Sequence, residues 1–217
     1  MGDLDRDGRL DIVQANGMVD NRYDALYPGC PDYWYWNDKI ALTPPDVHGH
    51  ADRWADLRGR CIFPYEANRV YLNRGAHFVD VAPRVGWARK GNSRGVALVD
   101  LDNDGDLDVL VTHQFEPVSI YRNDSKPKSW IGLQLTGNGK ACNRDAVGTR
   151  VSIDIAGQKQ MREVHGANGF SAQGDRRLLF GLGALQGKVN AAIYWCGERE
   201  AQMVTLDINA YHAIRQR

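Results

Sequence analysis

Two stretches of the chain gather carboxylates at a spacing that suits a hard divalent cation. Gly2 to Val13 and Val99 to Leu110 both follow the pattern D-x-D-x-D-G-x-x-D and then turn apolar. Calcium takes about six to eight oxygen ligands at roughly 2.3–2.6 Å. Alternate aspartates in a tight loop turn short side chains inward, and the glycine permits the sharp bend that closes the loop. The expected side-chain ligands are Asp3, Asp5, Asp7 and Asp11 in the first copy and Asp100, Asp102, Asp104 and Asp108 in the second. The main-chain carbonyls of Arg9 and Asp106 fill the position two residues after the aspartate that precedes the glycine. Asn103 lies between two of these aspartates, points away from the ion, and is expected to tolerate replacement by alanine.

An EF-hand requires a bidentate glutamate at loop position twelve and a helix on each side. That position holds Gln14 in the first loop and Val111 in the second, and the flanks are β-branched. A solvated acidic turn without metal is the other reading. Four carboxylates within nine residues repel one another strongly unless a cation neutralises them, and the motif occurs twice, so the expected cofactor is Ca2+.

The elements that must carry these loops read as strands. Hydrophobic residues make up 43% of the 217-residue chain and charged residues 25%, enough for one large or two modest cores. Leu10 to Val13, Arg69 to Leu72, Val96 to Val99 and Leu107 to Val111 are short runs bounded by Gly, Asn and Asp, the signature of strands. No long stretch has a 3.6-residue apolar period; only Ala51 to Arg60 suggests a short helix. Lys plus Arg equals Asp plus Glu at 27 each, which leaves no basic footprint for nucleic acid. No apolar run is long enough for a transmembrane helix, and no signal peptide is visible at Met1.

The text around the loops resembles the FG-GAP/VCBS repeat family. Its pattern, G-x-A-x-x-D, the aspartate loop, a strand, then L-Y-x-N, is met by Gly95 to Asp100, the second loop, Val109 to His113, and Ile120 to Asn123. The first loop continues through Ile12 to Gly17 and then Val70 to Asn73, and Gly75 to Ala82 is similar to the family's G-x-F-x-D-V-T. The resemblance covers about residues 1–126 and implies β-propeller blades. A propeller closes with roughly four to eight four-stranded blades, and this chain holds about one and a half to two. It is therefore expected to be a fragment or a strongly reduced protein, completed by the missing blades of a longer chain or by a partner chain.

The C-terminal part resembles the ASPIC/UnbV domain. Gly139 to Val151 is similar to S-N-R-D-A-I-G-A-R-V, and Arg162 to Phe170, Leu179 to Gly183 and Ala192 to Gly197 carry further family pieces, with Cys196 replacing a proline. The polar stretch Ser125 to Ser129 divides the chain into a repeat region, 1–126, and a domain at 127–217. The expected fold class is all-β: partial propeller blades followed by a small β-sandwich-like domain. Together the two parts resemble a cartilage-acidic-protein-like protein, and that resemblance implies an extracellular, periplasmic or cell-surface location.

An insert at about 18–67 interrupts the first blade, which is long for a compact β connection. Family members often carry a cysteine-containing insert here. In an oxidising compartment the favoured pairing is Cys30–Cys61 within the insert, leaving Cys142–Cys196 to join the first and last parts of the C-terminal domain. Four free buried thiols are the alternative. The run Tyr33, Trp34, Tyr35, Trp36 either stacks on a ligand such as a sugar or covers the blade edge. Asp46, His48, His50 and Asp52 alternate, which suits either a second metal at His48 and His50 or a polar loop. In the signature Asn143, Arg144 and Asp145, a hydrogen-bonded turn competes with a ligand contact, and Asn123-Asp124-Ser125 is a glycosylation sequon.

No Gly-x-Ser-x-Gly, phosphate loop or dinucleotide fingerprint is present. The leading expectation is a calcium-binding interaction or adhesion module that engages a glycan or protein ligand at a surface, not an enzyme. The alternative is a carbohydrate-active enzyme with a metal site in the insert.

Overall fold

Short alternating runs of β-branched and polar residues bury one face only when paired in sheets. Among the described residues of the computed structural model, all thirteen elements are strands. It describes residues 1–17, 67–113, 116–167, 169 and 172–217. The helix expected at 51–60 lies outside those residues, as do Tyr33 to Trp36, His48, His50 and the cysteines Cys30 and Cys61.

The repeat region forms two antiparallel three-stranded sheets. One runs β1 (Ile12–Gln14), β2 (Arg69–Asn73), β3 (Phe78–Asp80), and the other β4 (Ser93–Val99), β5 (Asp108–His113), β6 (Ser119–Tyr121). The loop and the two strands that follow it repeat, β1 and β2 in the first sheet corresponding to β5 and β6 in the second. The pairs Ile12↔Tyr71 and Val109↔Tyr121 occupy equivalent register positions. The bridge Gly2↔Asp11 closes the first loop as Val99↔Asp108 closes the second. The sheets share a core of Leu4, Val70, Ala82, Trp87, Val109 and Val111. They are stitched by Asn16, which donates its backbone N–H to Asn68 Oδ1 and accepts on its carbonyl from Ser93 N–H.

The C-terminal part has two packed sheets. In one, β7 (Ser129–Thr136) lies between antiparallel β10 (Leu178–Gly183) and parallel β13 (Ala210–Arg215). The other has the order β12 (Gln202–Asp207), β11 (Lys188–Tyr194), β8 (Arg150–Ile155), β9 (Gln158–Glu163). Ile131, Leu133, Phe180, Val151, Ile153 and Ile193 interleave between them, the sandwich expected. Cys142 and Cys196 are disulfide-bonded, with Cα atoms 5.0 Å apart, and tie the signature loop to the end of β11.

Side chains on a strand alternate between faces, and this decides what the three-stranded C-terminal sheet does with its second face. On β7, Ile131, Leu133 and Leu135 enter the sandwich core, while Trp130 is buried outside that cluster. On β10, Leu178, Phe180 and Leu182 point inward and Gly181 does not. The outer face, carrying Trp130, Gly181 and Tyr211, is covered by the two aspartate loops. Two glycines permit the approach: a Cβ on Gly105 would lie 2.0 Å from the Trp130 ring, and one on Gly181 2.3 Å from Asp3 Oδ2. The sheet β10-β7-β13 is thus the middle layer between the other C-terminal sheet and the loops.

Candidate metal centre

Both loops bend through a left-handed residue and a positive-φ glycine: Arg6 at 54° with Gly8 at 91°, and Asn103 at 62° with Gly105 at 87°. Their hydrogen bonds repeat atom for atom. Asp3 Oδ1 accepts from Asp7 N–H at 3.0 Å and Oδ2 from Gly8 N–H at 2.8 Å. Asp100 does the same with Asp104 N–H at 3.2 Å and Gly105 N–H at 2.9 Å. Asp11 accepts from Leu4 and Asn73 N–H groups, each at 2.8 Å, and Asp108 from Leu101 at 2.9 Å and Asn123 at 2.8 Å. The last aspartate of each loop therefore staples the loop to the chain at the end of β2 and just beyond β6, respectively.

In the first loop, Asp3, Asp5 and Asp11 each offer one carboxylate oxygen, and these lie within 4.8 Å of one another; Asp100, Asp102 and Asp104 do so in the second. An ion with ligands at about 2.4 Å spans roughly that distance between opposite oxygens. Asp5 Oδ1 is buried without a hydrogen-bond partner, as a ligand oxygen reserved for a cation would be. The donors fit calcium, which would neutralise the clustered charge and hold the loop closed. Asp7 stands outside the first group, its Oδ1 accepting from Arg9 N–H and its Oδ2 from Arg9 Nη1, both at 2.9 Å. Asp108 stands outside the second.

The surroundings of the two loops differ in charge. Around the first, Arg74 pairs with Asp5 at 2.7 Å and approaches Asp7 at 3.8 Å, and Lys128 lies 4.0 Å from Asp5. In the second, Asp102 and Asp104 are exposed, and position seven is Asp106, 1% exposed, 3.4 Å from Arg6 Nη2. Burial, then Asp104, raises the Asp106 carboxyl to about 7; burial also raises Asp3 to about 6 and lifts Asp11. Ordinary carboxyls at 3.8 would share none of this resistance to ionising.

Several functional groups were not legible as such. Asn73 and Asn123, the asparagines of the L-Y-x-N motif, donate their amides to Leu10 and Leu107 carbonyls, each at 3.2 Å, and lock loop to strand. Asn123 also donates to the Leu4 carbonyl at 2.7 Å, so the nitrogen of the sequon is already committed within the fold. Arg6 crosses from the first loop to the second and to the linker, bonding the carbonyls of Asp104, Ser125 and Lys126 at 3.4, 3.2 and 3.3 Å. Asn103, expected to be dispensable, accepts from Arg177 Nη1 at 2.5 Å in a conformation that asparagine tolerates better than alanine. In the C-terminal signature, Asn143 caps its own turn through Val147, and Asp145 pairs with Arg176 at 2.7 Å. A cleft of about 350 Å3 between loops and C-terminal sheet is lined by residues including Lys128, Trp130, Gln186 and Asn209.

Aspartate loops that close three-stranded antiparallel sheets, joined to a disulfide-bonded sandwich, define a repeat-plus-domain β protein. Residues 50–111 match the family model described as FG-GAP-like repeat, and residues 139–217 match the one described as ASPIC and UnbV. The chain thus carries an FG-GAP-like repeat followed by an ASPIC/UnbV domain. The first match spans β2 to the second aspartate loop and most of β5; the first loop lies before it and is related to the second by its geometry. No curated protein matches the chain. FG-GAP repeats and a disulfide are typical of extracellular proteins and interaction modules. Among the described residues, no helix is long and apolar enough to cross a membrane.

Proposed function

We propose that the chain is a calcium-stabilised interaction module, working outside the cell, in the periplasm or at the cell surface, that engages a glycan or protein ligand. The observation that carries the calcium part is the repeated loop, with three carboxylate oxygens within 4.8 Å in each copy. Residues 1–126 supply the blades and loops, and residues 127–217 form the second unit. A rigid β scaffold commonly presents recognition residues on its loops, which gives Tyr33 to Trp36 of the insert the role of ligand contacts.

The test is thermal melting with calcium and with chelator, alongside calorimetric titration of calcium. At a free concentration one hundred times Kd, each site adds about 2.7 kcal/mol, so chelation lowers Tm clearly and titration gives two ions per chain. A melting curve that ignores chelator ends the calcium reading. Glycan and protein arrays probed in calcium and in chelator then identify the ligand class; the binding reading fails if no array signal depends on the folded chain.

A further inference from the structure

The first aspartate of each loop makes one contact that the loop itself does not require. Asp3 Oδ2, already bonded to Gly8, also accepts from the backbone N–H of Gly181 on β10 at 3.1 Å. Asp100 Oδ2, at the equivalent loop position and already bonded to Gly105, accepts from the Tyr211 hydroxyl on β13 at 2.5 Å. The same oxygen of the same loop residue is thus engaged twice, by two chemically different donors, both from the outer face of one C-terminal sheet. Further contacts follow the same direction. Arg177 donates to the Asp100 carbonyl at 2.7 Å and sits over the Tyr211 ring at 4.2 Å. Trp130 meets Tyr211 edge-on with centroids 5.0 Å apart, and Asp175 N–H bonds the Leu98 carbonyl at 2.9 Å.

We infer that the ASPIC/UnbV domain is a clamp on both metal loops, in which Tyr211 and the Gly181 N–H are positioning groups for Asp100 and Asp3, so that calcium binding and docking of sheet β10-β7-β13 are thermodynamically coupled. The inference rests on the calcium reading above. A donor on the second oxygen turns a carboxylate and holds its other oxygen toward the ion, as outer-shell partners do in metal sites. Coupling of this kind is reciprocal: what docking does for calcium affinity, calcium does for docking.

The test uses the full chain and calcium alone. Tyr211→Phe deletes only the donor, and its expected effect is a loss of about tenfold or more in affinity at one of two sites with the other unchanged. Calcium is expected to slow amide exchange across residues 178–183 and 210–215 in the unmodified chain, and less across 210–215 in Tyr211→Phe. Arg177→Gln, which removes the donor to the Asp100 carbonyl, carries the same expectation through an independent contact and serves if Tyr211→Phe does not fold. Unchanged calcium affinity at both sites in a folded variant, or exchange in those segments that is indifferent to calcium, overturns the clamp while leaving calcium binding intact. An unmodified chain that binds no calcium overturns the metal reading and the clamp together, so the two failures are distinguishable.

Discussion

Removing the Cys142–Cys196 disulfide isolates one term of the stability of the C-terminal domain. The two cysteines are 54 residues apart in sequence, and Cys142 is buried in the sandwich core. On the chain-entropy relation, a loop of that length restricts the unfolded chain by about 14 cal/mol/K, or about 4 kcal/mol at 25 °C. For a chain of 217 residues each kcal/mol moves Tm by roughly 2–4 °C. The double replacement Cys142→Ala/Cys196→Ala is therefore expected to lower Tm by about 8–16 °C. Calorimetry of both proteins in saturating calcium, with guanidinium unfolding to obtain the free energy, makes the comparison at fixed metal. The replacement also removes the contact of Cys142 Sγ with the Thr149 hydroxyl at 3.5 Å, but that hydroxyl still accepts from the backbone N–H of residue 196 at 3.2 Å, so the loop retains an anchor. A Tm drop below about 2 °C would refute the reasoning, because the unfolded chain would then gain almost nothing from the released loop.

At pH 8, where Asp106 is ionised, Arg6→Ala leaves the buried Asp106 carboxylate without its partner and frees the linker carbonyls, a cost of about 3–5 kcal/mol; urea unfolding in chelator at that pH measures it, and Arg6→Ala/Asp106→Asn is expected to recover part of the loss. Removing the half-exposed cation at the first loop with Arg74→Ala is expected to tighten calcium there by about two- to fivefold, read by titration as convergence of the two site affinities. The calcium-free stability is expected to fall as pH rises. Folded Asp3 and Asp106 keep their protons up to about 6 and 7, whereas unfolded aspartates release them near 3.8. The folded state therefore binds more protons between about pH 4 and 7, and stability declines through that window and levels above it. Denaturant titrations at pH 5 and 8 in chelator check the sign, and saturating calcium, which favours the ionised carboxylates, is expected to reduce or reverse the slope.

The sequence by itself determined the local structure. Aspartate spacing with a following glycine specified both loops, because the bend and the gathering of short carboxylates are decided within nine residues, and the β-branched runs specified β1, β2, β4 and β5, because the period of two is local. The Cys142–Cys196 pair was also legible, although only as the pair left over once Cys30 and Cys61 were assigned to each other within the insert. Tertiary structure decided what the local pattern is silent about. Asp106 looked like one more loop position, yet it is buried against Arg6 because the two loops lie side by side, ninety or more residues apart in the chain. Tyr211 sat in an ordinary strand and Gly181 in an ordinary apolar run. Their reach to Asp100 and Asp3 exists only because β7, between β10 and β13, turns Trp130 outward onto Gly105. Alternation along a strand says which side chains share a face; it does not say which distant loop will cover that face, and that depends on packing two units whose contacts are separated by most of the chain.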